Sequence, residues 1–222
     1  MEFPHFFDPW LFSTELIFTI IAVGFCLLIY FKTREIYELT KYNGIKYFRD
    51  AFLFFGLSYV LRFLFSLVLL STIAFDFIIP RDMFVPIFIL PLGYFSTIGI
   101  FYLVFSSIWK RFSNKNLLIL GHSVAILLSA MSFITRSHLI LLVFQSALLI
   151  AAVVLSRVMH KDKKKISQTR ILYLLVALLW LINLWVIGPK RRPFSFEIQI
   201  FFELISLAVF IFINYKISKL VR

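Results

Sequence analysis

The feature that most constrains this chain is a series of seven long apolar segments that follow one another from end to end. They cover residues 12–31, 51–75, 84–109, 117–134, 139–159, 171–188 and 198–215. A helix needs about 20 apolar residues to cross the hydrocarbon core of a bilayer, within a range of about 17–25. The spacing therefore predicts an all-α membrane protein, a single seven-helix transmembrane bundle formed by residues 1–222.

Composition excludes a water-soluble fold. Of the 222 residues, 61% are apolar and only 15% are charged, whereas soluble domains average about 45–50% apolar and about 25% charged residues. The longest stretch between predicted spans, Lys32 to Asp50, is too short to form a soluble domain with its own core. We expect it to be a loop, so any function must lie in the bundle or in short connections.

The distribution of basic residues predicts the orientation, because cytoplasmic connections of membrane proteins are enriched in Lys and Arg. With the N-terminus outside and the C-terminus in the cytoplasm, 17 of the 23 Lys and Arg residues fall on the cytoplasmic side. One outer connection departs from this rule, since it contains Lys190, Arg191 and Arg192. That cluster is either part of an ordinary solvated loop or a site that attracts an anionic ligand or lipid head group.

Topology also accounts for most of the net charge of +12, which removes the main argument for a nucleic-acid partner. The expected partners are the lipid bilayer and the anionic lipids of its inner leaflet. The most basic cytoplasmic segment, Lys161–Arg170, is a candidate docking surface for a cytoplasmic protein. The pattern as a whole is typical of a multi-pass protein of the cell membrane.

Polar side chains inside the spans recur at one depth. At a rise of about 1.5 Å per residue, Arg62 of the second span lies near the bilayer midplane and Glu203 of the seventh lies slightly to the outer side. The same layer holds Tyr94, Gln145 and Asn183. Helical phase places several polar residues on shared faces, which we expect to point into the bundle: Ser58, Arg62 and Ser66; Gln199, Glu203 and Ser206; Tyr173, Trp180 and Asn183; His138, Gln145, Ala152 and Ser156.

Two interpretations of this layer remain open. In the first, Arg62 and Glu203 form a buried ion pair that sets helix register, and the amides make interhelical hydrogen bonds. In the second, the layer is a pocket for a zwitterionic or anionic small molecule, because charged groups inside a membrane often mark a functional site. Its candidate ligand-binding residues are Arg62, Glu203, Tyr94, Gln145, Asn183 and Trp180. Glu15 is expected instead at the outer interface, where an acid suits a helix N-terminus.

No motif predicts catalysis, a metal or a cofactor. The four histidines, His5, His122, His138 and His160, are scattered along the chain, and HExxH and phosphate-loop patterns are absent. The seventh span has no lysine before Lys216, which argues against a retinal Schiff base like that of the microbial rhodopsins. We therefore expect no catalytic residues, no metal site and no cofactor.

The leading functional hypothesis is a receptor-like or sensory membrane protein that binds a small ligand near the midplane. The alternative is a small secondary transporter that uses the same pocket. Pro91 and Gly93 in the third span are expected to kink that helix, which would give a transporter a gating element. No internal repeat of the kind found in many transporters is evident.

Overall fold

The structure is a computed structural model that describes residues 9–75, 81–109, 115–137, 139–159, 166–187 and 196–221. Within these residues all regular structure is helical. The seven helices are α1 (Pro9–Thr40), α2 (Asn43–Ala74), α3 (Arg81–Ile108), α4 (Lys115–Thr135), α5 (Leu139–Met159), α6 (Ile166–Ile187) and α7 (Phe196–Val221).

Five stretches within the described helices are long and apolar enough to cross a membrane: Phe12–Thr40, Asn43–Val68, Ile87–Ile108, Asn116–Thr135 and Glu197–Lys219. The described parts of α5 and α6 contribute shorter apolar stretches, Leu139–Leu155 and Ile171–Leu184. The chain is thus a helical, multi-pass integral membrane protein, as its composition predicts.

The first connection is much shorter than the sequence indicates. A loop was expected over residues 32–50, but α1 continues to Thr40 and α2 begins at Asn43. In the extension, Arg34 Nε donates a 2.7 Å hydrogen bond to Glu38 Oε1 one turn away, which is a favourable helical spacing. A fall in hydrophobicity marks the end of an apolar span and not the end of a helix, so the loop prediction was wrong for most of this segment.

Six of the seven helices form a closed ring, and α4 packs on the outside of that ring. Around the ring, α1 contacts α2, α2 contacts α3, α3 contacts α5, α5 contacts α6, α6 contacts α7, and α7 returns to α1. The remaining helix, α4, packs against α3 and, less extensively, against α5. The helix α3 therefore contacts α2, α4 and α5, and one of its faces lies inside the ring.

Large aromatic side chains fill the centre of the ring. The Phe55 and Trp180 rings stack with their centroids 4.2 Å apart, and Tyr59 meets Trp180 edge-on at 5.9 Å. Phe210 of α7 joins the cluster with its ring centroid 6.1 Å from that of Tyr59. Aromatic rings have the reach to bridge helices on opposite sides of a ring, so the cluster connects α2, α6 and α7.

The connection between α4 and α5 is a tight turn, as the short gap between the predicted spans requires. Arg136 adopts a left-handed conformation with φ of 50°. The amide of Ser137 donates to Ser132 O and the amide of Arg136 donates to Phe133 O, both at 3.3 Å. This pair of bonds is a Schellman motif, which ends α4 and satisfies carbonyls in its last turn.

The polar faces predicted from helical phase point into the bundle at most of the positions whose side chains are described, and Gln199 is only half-buried. Their buried members are Ser58, Arg62, Ser66, Gln145, Ala152, Tyr173, Trp180, Asn183, Glu203 and Ser206. His138 and the side chain of Ser156 lie outside the described residues. Burying polar side chains inside the bundle removes them from lipid, where they would have no partners.

Gly99 of α3 allows the aromatic cluster to form. A Cβ atom at this position would lie 2.6 Å from Cε1 and 2.7 Å from Cδ1 of Phe55, the ring that stacks on Trp180. Contacts this short force a neighbour to move, and overpacking of a core costs roughly 1–3 kcal/mol.

We predict that Gly99→Ala lowers the free energy of unfolding by roughly 1–3 kcal/mol, because Phe55 must leave its position against Trp180. The matched control is Gly24→Ala, since a Cβ at Gly24 meets nothing within 4 Å. Alanine there is a better helix former than glycine by up to about 1 kcal/mol. Unfolding of the purified protein in detergent, followed by tryptophan fluorescence, gives both values. Equal stability of the two variants would contradict this account of the core.

Candidate functional site

Arg62 lies at the centre of the polar layer. It occupies the buried face of α2 with Ser58 and Ser66 one turn to either side, and only 6% of its surface is exposed. The helices α1 and α3 flank α2, so the guanidinium emerges between elements that shield it from lipid. An arginine in this position needs a compensating charge and hydrogen-bond acceptors.

Glu15 of α1 provides that charge. Arg62 Nε and Nη2 donate to Glu15 Oε1 at 3.1 Å and 2.9 Å. The side chains of Arg62 and Glu15 are 7% and 19% exposed, so the pair is largely withdrawn from solvent, with Glu15 on the more accessible side. The Phe18 ring packs beside the pair, with its centroid 5.9 Å from the Arg62 guanidinium carbon.

This pairing corrects the expectation that Arg62 pairs with Glu203. Glu203 is buried on α7, where its Oε1 accepts a 3.1 Å hydrogen bond from Gln199 Nε2 of the same helix. The helix α2 packs against α1, while α7 lies on the far side of α1. Helix adjacency therefore selects Glu15.

A small cavity adjoins Arg62 and is lined by residues of four helices. Its volume is about 40 Å³, which is room for roughly three water molecules at about 10–15 Å³ each on this measure. The lining residues are Ser58, Tyr59 and Arg62 of α2, Leu92 and Ser96 of α3, Leu141, Leu142 and Gln145 of α5, and Trp180 and Leu184 of α6.

Four of these lining residues carry a buried polar atom that has no hydrogen-bond partner in the described part of the chain. The atoms are Tyr59 Oη, Arg62 Nη1, Gln145 Oε1 and Trp180 Nε1. Buried polar groups are nearly always hydrogen-bonded in folded proteins. Half of the eight such atoms in the described part of the chain surround this one cavity, which indicates a place where water or a polar ligand completes the hydrogen bonding.

The Gln145 side chain is held by α3, which fixes which of its amide atoms remains available. Its Nε2 donates to Ser96 Oγ at 2.7 Å and to Thr97 Oγ1 at 2.8 Å. Ser96 in turn donates to Gly93 O at 3.0 Å, so its oxygen is the acceptor toward Gln145. This network orients the amide and leaves Oε1 as an acceptor.

Three of the six predicted ligand-binding residues come together at the cavity, namely Arg62, Gln145 and Trp180. Asn183 is buried one turn from Trp180, and its Nδ2 donates to Leu179 O at 2.7 Å. Its side chain lies near the Tyr59 hydroxyl, and its Oδ1 is, like that hydroxyl, without a hydrogen bond of normal geometry in the described residues, but Asn183 does not line the cavity. Glu203 is also outside the lining.

Tyr94 belongs to a different cluster. Its hydroxyl makes a 2.9 Å hydrogen bond with His122 Nδ1 of α4, and Tyr102 approaches His122 Nε2 at 3.5 Å. Leu92 and Ser96 face the cavity, and a residue two positions from either is rotated by about 200° around the helix. Tyr94 therefore points to the side of α3 that carries α4.

The residues predicted for the site do not include Ser58, Tyr59, Ser96 or Glu15. Ser58 and Tyr59 had a detectable signal, because they flank Arg62 on the same helical face. Glu15 lies in the first predicted span, next to the span of Arg62 in the chain, and sequential helices often pack together. The side-chain partner of Gln145, Ser96, had no comparable signal in a single sequence.

Two predicted surfaces fall on residues whose structure or side chains are not described. The outer cluster of Lys190, Arg191 and Arg192 lies outside the described residues, as do residues 161–165 of the basic segment Lys161–Arg170. Among the described residues no three His, Cys, Asp or Glu side chains are grouped so that they could hold a metal ion.

Comparison with known proteins gives similarity without a functional assignment. No protein-family model matches the chain, and no solved structure matches it. A protein of Archaeoglobus fulgidus described as uncharacterized is 28% identical over 215 residues, which cover 93% of this chain and 92% of that protein. The similarity therefore extends over nearly the full length of both chains.

A double-mutant cycle tests the assignment of Glu15 as the partner of Arg62. We predict that Arg62→Gln and Glu15→Gln are coupled by roughly 1–3 kcal/mol in the free energy of unfolding, because the two side chains interact directly. The parallel cycle of Arg62→Gln with Glu203→Gln should give a coupling below about 0.5 kcal/mol. A larger coupling to Glu203 than to Glu15 would refute the pairing.

Proposed function

We propose that this chain is a receptor-like or sensory protein of the cell membrane that binds a small polar ligand in the cavity beside Arg62. In this proposal all seven helices span the bilayer, with the N-terminus outside and the C-terminus in the cytoplasm. The 21 residues of α5 and 22 residues of α6 support it, since about 20 helical residues cross the hydrocarbon core. The excess of basic residues on one side supports the orientation.

The observation that carries the proposed ligand site is the set of unpartnered polar atoms on Tyr59, Arg62, Gln145 and Trp180. They belong to three helices and line one cavity. A purely structural polar layer would be expected to satisfy its own hydrogen bonds, because an unpaired buried donor or acceptor costs about 1–3 kcal/mol. A ligand that completed these bonds would recover that cost on binding.

Two hydrogen-bond networks away from the cavity support a receptor-like role, because each joins helices at the end of the bundle that we place in the cytoplasm. The Ser106 hydroxyl of α3 donates to Gly44 O of α2 at 2.7 Å and also hydrogen-bonds the Tyr173 hydroxyl of α6. Lys32 Nζ of α1 donates to Asn214 Oδ1 and Ser218 Oγ of α7, both at 2.8 Å.

Three of the helices that line the cavity, α2, α3 and α6, also carry the first of these networks. On α6, Tyr173 lies about two turns from Trp180, and on α3, Ser106 lies about 15 Å from Ser96 at 1.5 Å per residue. A shift of α6 or α3 on ligand binding would therefore alter the contact between Ser106, Gly44 and Tyr173. This is the physical basis for transmission to a cytoplasmic partner, for which Lys161–Arg170 is the proposed docking segment.

The structure of α3 gives less support to the transporter alternative than to a receptor-like protein. Here α3 is continuous from Arg81 to Ile108 and runs through Pro91. A Cβ at Gly93 would lie 2.8 Å from Leu141 Cδ1 and 3.2 Å from Ser129 Oγ, so this part of α3 is closely packed against its neighbours. Close packing at the proposed gating element favours binding without transport.

The proposed ligand site is tested by titrating the purified protein in lipid nanodiscs with acetamide, glycine, acetate and phosphate while tryptophan fluorescence is recorded. Trp180 lines the cavity, so we expect saturable quenching or enhancement by at least one solute. Trp180→Phe keeps an aromatic ring against Phe55 but removes the indole donor, and should weaken binding about tenfold. Because the variant also lacks the reporting indole, its affinity is measured by equilibrium dialysis of the radiolabelled solute. The matched control is Trp109→Phe, which leaves the cavity lining unchanged.

If no solute produced a saturable response that depended on Trp180, the proposed ligand site would be wrong. The role is tested separately by reconstituting the protein in liposomes with the radiolabelled form of whichever solute binds. A receptor should show no uptake above that of protein-free liposomes. Saturable uptake that is lost in Arg62→Ala would establish the transporter instead.

A further inference from the structure

We infer that Glu15 makes the cavity selective for molecules without net charge, so that the ligand is a neutral or zwitterionic molecule and not an anion. This inference rests on the proposed ligand site and names its substrate class. It starts from the charge of the lining. Among the ten lining residues, all within the described helices, Arg62 has the only formal charge, and by itself it would attract anions.

The geometry of the ion pair changes that expectation. Glu15 Oε1 accepts from Nε and Nη2, which lie along one edge of the guanidinium. The remaining nitrogen, Nη1, is the one that has no hydrogen-bond partner in the described residues. The positive charge is therefore already compensated, while one strong donor remains available on the other side of the guanidinium.

The hydrogen-bonding character of the cavity agrees with a ligand that both donates and accepts. Arg62 Nη1 and Trp180 Nε1 are donors, Gln145 Oε1 is an acceptor, and the Tyr59 hydroxyl is able to act as either. A carboxylate accepts only, so it would leave Gln145 Oε1 without a donor. A primary amide or a zwitterionic amino acid has both kinds of group.

Electrostatics give the same result. An anion beside Arg62 would be repelled by the Glu15 carboxylate across the guanidinium, in an environment where charges are poorly screened. A molecule without net charge avoids that repulsion and still accepts from Nη1. Glu15 is thus a selectivity-determining residue, although it does not line the cavity.

Three probes of nearly equal size and shape separate charge from volume: acetate, acetamide and acetamidinium, with charges of about −1, 0 and +1 at neutral pH. Each has roughly the size of the three water molecules that the cavity accommodates. Their affinities are measured by tryptophan fluorescence on the full chain in nanodiscs. For the wild-type protein we expect acetamide to bind at least about tenfold more tightly than either ion.

Glu15→Gln removes the compensating charge with little change in shape. We expect it to raise the affinity for acetate at least about tenfold and to change that for acetamide less than about threefold. The matched control is Glu197→Gln, which removes an exposed acid near the start of α7. It should leave all three affinities unchanged within about twofold.

Arg62→Gln is a second, independent test of the selectivity proposal in case Glu15→Gln folds poorly. It leaves Glu15 without its countercharge, so acetamidinium should become the preferred probe. If every variant bound acetate, acetamide and acetamidinium with similar affinities, the selectivity proposal would be overturned, although a ligand site would remain. If none of the three probes bound to any variant, the selectivity proposal and the ligand site would both be refuted.

Discussion

An ionised guanidinium in the interior of a membrane protein must be compensated, and this requirement organises the structure around Arg62. Taking the charge out of water costs several kcal/mol unless a partner and hydrogen bonds are supplied. Glu15 supplies both and thereby fixes how α1 meets α2. Because Glu15 engages one edge of the guanidinium, Nη1 remains available. The electrostatics of the adjoining cavity, and the selectivity that we propose for it, depend on this single pairing.

The aromatic cluster and the cavity share a side chain, so the lining of the cavity is part of the packed core. Trp180 stacks on Phe55 in the core and also lines the cavity. Protein interiors are close-packed, so a displaced ring moves its neighbours. The position of Phe55 in turn requires the absence of a side chain at Gly99. A molecule that hydrogen-bonds the Trp180 indole thus acts directly on the contacts that hold α2, α3 and α6 together.

Much of the polar layer was predictable because the depth and phase of a residue depend on its own helix alone. Arg62, Gln145 and Trp180 were selected on these grounds and line the cavity. Tyr94 has a similar depth but faces α4, where it bonds His122. Glu203 also has a suitable depth, yet the acid beside Arg62 is Glu15. Both differences arise because a single helix carries no information about which helix will pack against it.

The apolar pattern of the chain is sufficient to establish that it is helical, that it lies in a membrane and which helix faces point inward. The reason is that lipid offers no hydrogen-bond partners. Backbone N–H and C=O groups must therefore hydrogen-bond with one another within helices, and polar side chains must face away from lipid. Three features become evident only when the helices are packed together: α4 lies outside a ring of six helices, Glu15 meets Arg62, and a cavity remains beside them. These features depend on how side chains of particular shape fit between helices, and that fit is not encoded in the apolar pattern of any one span.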